Sequence, residues 1–165
     1  MSLIRIQMIF LIGLSFLFAQ DETRPEDTTP PELINFTISS LVVDVTESSQ
    51  TVTITAEVSD DISGVDYVSG YFFSPSEQYL GFWLYPSNDD LQHVLTTDVI
   101  FDENIESGIW EMQNISLGDN VGNGVGFNTE AIVEMGFETQ VEVSSIEDVT
   151  PPELISFSIL WQRMV

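Results

Sequence analysis

Residues Glu26 to Phe36 read EDTTPPELINF and residues Glu147 to Phe157 read EDVTPPELISF, so nine of eleven positions recur at an offset of 121 residues. Self-similarity at a fixed offset marks a repeat array. Each copy opens on an acidic pair and reaches Pro30-Pro31 or Pro151-Pro152. Paired prolines fix φ, disfavour helix in the residue before them and form a short, stiff, extended spacer. An apolar-alternating run follows with no helix cap, so each copy reads as a linker feeding a β-strand. One complete module is therefore expected between the copies, with a second beginning after them.

The chain between the copies is written in strand language. Thr51 to Ser59 alternates, with Val52, Ile54, Ala56 and Val58 on one side and Thr51, Thr53, Thr55 and Glu57 on the other; this period of two predicts a half-buried strand. Further strands are expected over 32–39, 41–45 after a kink at Ser39-Ser40, 65–73, 78–85, 91–101 and 109–117. Residues 125–143 are expected to add one or two more. Turn residues punctuate these runs at intervals of about ten residues, and no stretch shows a sustained helical period. The predicted fold is all-β, an antiparallel immunoglobulin-like β-sandwich of about seven strands, with the first strand of a second module at the C-terminus. The expected boundaries are 1–19 for a signal peptide, 20–31 for a linker, 32–146 for the sandwich, and 147–165 for a second linker and a truncated repeat. The signal peptide rests on Arg5, the apolar stretch Ile6 to Phe18, and a small residue, Ala19, before acidic sequence. It predicts export, an extracellular or cell-surface location, and no membrane insertion after cleavage.

Charge narrows the partners. There are 27 acidic residues against three basic ones, a formal charge of −24. Such a surface repels nucleic acid and anionic membrane and suits divalent cations or a basic partner. There is no cysteine, which excludes disulfides, thiolate metal sites and cysteine nucleophiles. His93 is the only histidine and has no companions for triad or zinc chemistry. No pair among the carboxylates is singled out for glycoside hydrolysis. No enzyme is expected.

Two groups of residues carry candidate binding chemistry. Calcium takes six to eight oxygens from carboxylates, Asn amides and backbone carbonyls. Asp60 and Asp61 lie in one tight Gly-containing loop, and Asp119, Asn120 and Asn123 in another. The linker acids include Asp27 and Asp148. Alternate loops of a sandwich gather at one end, so the two loops and a linker can converge on a cation. The competing reading is that Asp and Asn are there because they make good turns; both stay open. The second group is aromatic. Eight rings crowd residues 67–85, and alternation sends Phe72 or Phe73, Phe82 and Leu84 inward while leaving Tyr79, Trp83 and Tyr85 as a candidate outward-facing ligand strip.

Four motifs in order, DTTPPEL at 27–33, DDISGV at 60–65, GIW at 108–110 and DNVGN at 119–123, resemble the immunoglobulin-like or fibronectin-III-like repeats of large bacterial secreted or surface adhesin-type proteins. The linker motif recurs from Asp148, and nothing between Phe72 and Asp102 matches. The resemblance implies an extracellular module in an elongated array, with calcium near module junctions. The expected role is a structural spacer or adhesive element stiffened by calcium. Its expected partners are neighbouring modules and a cell-surface protein or glycan. The alternative is a carbohydrate-binding accessory module of a secreted hydrolase.

Overall fold

A computed structural model describes residues 25–88, 90–146 and 153–158. The expected signal peptide and Asp148 lie outside them. Among the described residues, no helix is long and apolar enough to cross a membrane.

The protein is an all-β sandwich. One sheet holds β1 (Glu32–Ile38), β3 (Gln50–Ser59) and β6 (Gln92–Phe101), in the order β1-β3-β6. The other runs β2 (Val42–Asp44), β9 (Gln140–Ser144), β7 (Gly108–Asp119), β4 (Val65–Phe73), β5 (Tyr79–Leu84), with β8 (Gly124–Asn128) also on β7. The alternation in β3 is realised as expected, with Val52, Ile54, Ala56 and Val58 all buried between the sheets. Facing them are Phe72, Phe82, Trp110, Met112, Ile115 and Leu117. Phe101 bridges the layers, 5.9 Å from the Trp110 ring centroid and 6.5 Å from that of Phe72.

Three details differ from the sequence expectation. There are nine strands among the described residues, and one pair, β2 with β9, is parallel. The kink at Ser39-Ser40 is the cause. It releases the chain from β3 and lets β2 cross to the other sheet, while the Thr53 N–H donates to Ser39 Oγ at 2.8 Å and secures the corner. Second, a six-residue helix, α1 (Thr129–Glu134), interrupts the closing strands, so β8 and β9 occupy successive stretches of the same edge of β7. Asn128 caps it by accepting from the Ala131 N–H, and Gly136 ends it at φ 85°. Third, residues 153–158 form no strand and are exposed; a lone strand has no sheet on which to satisfy its backbone.

Register fixes the poles of the sandwich. Glu32 pairs with Ser59 and Val65 with Asp119, so the entering linker, the 60–64 loop and the 119–123 loop share one pole. Gly108 pairs with Val143, so β9 ends at the opposite pole, beside the 74–78 turn that follows β4. The chain enters at one pole and leaves the sandwich at the other.

Candidate functional site

At the entry pole the carboxylates of Asp27, Asp60 and Asp61 come together, with one oxygen from each lying within 4.8 Å of the others. Two segments place them. Asp27 belongs to the linker, and Asp60 and Asp61 follow directly from β3. Asp60 is only 8% exposed. Its Oδ2 accepts from the Gly64 N–H at 2.7 Å and the Ile62 N–H at 3.2 Å, which shapes the turn that Gly64 completes at φ 86°. Its Oδ1 is buried and has no hydrogen-bond partner among the described residues. A buried carboxylate oxygen without a partner carries a desolvation cost that a cation would offset.

The linker is tied into this pole. Asp27 Oδ2 accepts from the Ser63 N–H at 2.8 Å, and Asp27 Oδ1 from the Thr29 N–H at 3.1 Å. The Thr29 hydroxyl donates to Asp61 Oδ1 at 2.6 Å. Hydrogen bonding from Ser63, with further bonds from Thr29, outweighs burial and holds the Asp27 carboxyl below its ordinary pKa. It stays charged, as a hard-cation ligand must.

The second loop does different work. Asp119 is buried, and its Oδ1 accepts three backbone N–H groups, from Val121, Gly122 and Asn123, at 3.0, 2.6 and 2.8 Å. Its Oδ2 accepts from Asn123 Nδ2 at 2.6 Å. Burial acts to raise its pKa, but these bonds prevail and lower it. Asn120 Nδ2 donates to the carbonyls of Ser63 and Gly64, and Asn123 Nδ2 also donates to the Asp27 carbonyl at 3.2 Å. These three residues therefore build a scaffold that clamps the first loop and the linker. The trio of carboxylates lies around that scaffold. Thr29 and Ser63, which the sequence did not single out, are the hinges of the clamp.

The aromatic strip faces outward as expected. Tyr79, Trp83 and Tyr85 are 66%, 45% and 65% exposed, while Phe72, Phe82 and Leu84 are buried. Trp83 stands edge-on to Tyr71 at 5.7 Å and 87°. Its indole lies over Gly81, where an added Cβ would come within 2.8 Å of the ring. Any larger residue at Gly81 would lift the ring off the sheet. Aromatics on the edge strand β5 thus form a shallow outer platform.

No protein-family model matches the chain, and the comparison with curated proteins finds no match. Among solved structures the chain is similar to Cwp6 from Clostridium difficile, at 17% sequence identity and a TM-score of 0.47, with 76% of this chain and 19% of that chain covered. The chain thus spans about a fifth of that protein's length.

Proposed function

We propose that this chain is a secreted, acidic immunoglobulin-type module, without catalytic activity, that spaces and joins modules of a cell-surface or extracellular protein. We further propose that calcium stiffens its entry joint through Asp27, Asp60 and Asp61. The observation that carries the metal reading is the buried, unpartnered Oδ1 of Asp60 inside a carboxylate trio that includes a linker residue. An all-oxygen, all-anionic donor set suits a hard divalent cation. A bound ion would fasten the linker to the sandwich, because Asp27 lies on one side of the joint and Asp60 and Asp61 on the other.

Support for the module reading comes from the fold. The strands β1, β3 and β6 opposite β5, β4, β7 and β9 correspond to strands A, B and E opposite C′, C, F and G of an immunoglobulin-type sandwich. Entry and exit at opposite poles suit end-to-end stacking.

Calcium at about a hundred times its dissociation constant is expected to stabilise the fold by about 2.7 kcal/mol. Scanning calorimetry of the wild type should show a rise in Tm with millimolar calcium that EDTA reverses. Asp61→Ala should abolish the rise while changing the calcium-free Tm little, since Asp61 is exposed. A wild-type Tm indifferent to calcium would rule out the metal.

A carbohydrate-binding accessory role is the second reading, favoured by the outward platform of Tyr79, Trp83 and Tyr85. It predicts that soluble polysaccharide alters tryptophan fluorescence and that Trp83→Ala removes the change.

A further inference from the structure

At the exit pole, away from the carboxylate trio, a cleft of about 870 Å³ opens on the outer face of the second sheet. Across the strands, Gln140, Glu111, Phe73 and Tyr79 stand in one row of the register. The cleft is walled by Phe73, Pro75 and Ile109 on its apolar side and by Glu77, Glu111, Gln113 and Gln140 on its polar side. Pro75 packs so closely on Gly108 that an added Cβ there would lie 2.9 Å from the proline ring, and Gly108 itself has φ 123°.

Two backbone irregularities converge on this cleft. Tyr71 pairs with Asn114 but Phe72 pairs with Met112, so Gln113 is the extra residue of a β-bulge. Bulges re-aim side chains and are frequent beside binding sites. Glu77 has φ 67°, the one positive value outside glycine among the described residues. The left-handed region is costly for a residue with a Cβ, and this position of a hairpin loop ordinarily carries glycine. A strained glutamate whose side chain lines a cleft points to a use for that side chain.

The chemistry of the lining selects the ligand. Gln113 Nε2 and Gln140 Nε2 donate to the two oxygens of Glu111 at 3.2 and 3.1 Å, so one amide hydrogen of each is spent and the cleft is rich in acceptors. Among the described residues no basic side chain lines it, and the chain carries a charge of −24. A donor-rich cation on an apolar stem fits both walls, with the stem against Phe73, Pro75 and Ile109 and the head between Glu77 and Glu111. We infer that this cleft receives an arginine or lysine side chain of a basic partner protein, with Glu77 and Glu111 as its recognition residues.

A hexa-arginine peptide titrated into the protein at about 0.15 M salt, where long-range attraction is screened, tests this directly. Glu77→Gly and Glu111→Gln should each weaken binding by about tenfold. Glu77→Gly should do so with a Tm no lower than that of the wild type, because glycine relieves the strain. Glu130→Gln and Glu134→Gln on α1 remove like charges that do not line the cleft and should change affinity less than twofold. Equal losses in the α1 and cleft variants, or no loss in the cleft variants, would overturn the inference and leave only diffuse attraction to an acidic surface. Binding by soluble polysaccharide that depends on Glu77 and Glu111, without binding of the peptide, would overturn it in favour of a glycan.

Discussion

The two copies of the proline phrase share their apolar residues and differ in what they meet. In the first copy Leu33 and Phe36 are 7% and 3% exposed; in the second their counterparts Leu154 and Phe157 are 79% and 77% exposed. Phe36 packs 6.0 Å from Phe82 and 6.5 Å from Phe137, and β1 pairs with β3 along its length. Residues 153–158 have the same strand-forming pattern and form no strand. Sequence pattern thus supplies a strand's readiness, and an adjacent edge and core supply its stability.

That contrast can be broken most forcibly at its aromatic residues. Phe36→Ala should cost about 3–5 kcal/mol in denaturant unfolding, the usual range for a buried phenylalanine. Phe157→Ala should stay within about 0.5 kcal/mol. A comparable loss from both would mean that the second phrase is packed in solution.

A smaller effect is expected at the entry pole. Asp119→Ala leaves three backbone N–H groups without their acceptor and should cost about 1–3 kcal/mol. The cost should be the same with and without calcium, because both Asp119 oxygens are occupied within the loop. A loss that doubles in calcium would place Asp119 among the ligands.

Acid should act on the same pole. The folded pKa values of Asp27 and Asp119 lie below their ordinary values. Their contribution is therefore present above the ordinary carboxylate range and is lost as pH falls through the folded values. Stability of the wild type should decline below about pH 4, and Asp119→Asn should flatten part of that decline. The mildest expectation concerns the second phrase itself: Leu154→Ala should leave Tm unchanged, because Leu154 is exposed.

Much of this was legible in the sequence. The alternation of β3 and the outward Tyr79, Trp83 and Tyr85 follow from a period of two. The helix α1 was hidden because six residues cannot display a helical period, although Asn128 and Gly136 bracket it as caps. The metal candidates divided for a local reason. Asp and Asn in turns readily bond their own backbone; in the 119–123 loop that use prevails, while Asp60 keeps one oxygen unpartnered. The exit-pole cleft had no sequence signal, since the left-handed conformation of Glu77 and the bulge at Gln113 arise from strand register.

The most direct measurement is amide hydrogen exchange on both phrases of one sample, with and without calcium. Strong protection is expected at the amides of Leu33–Ile38 that bond β3, none through residues 153–158, and calcium-dependent slowing at Thr29, Ser63 and Gly64. Equal protection of the two phrases, or exchange at the entry pole that ignores calcium, would contradict this expectation.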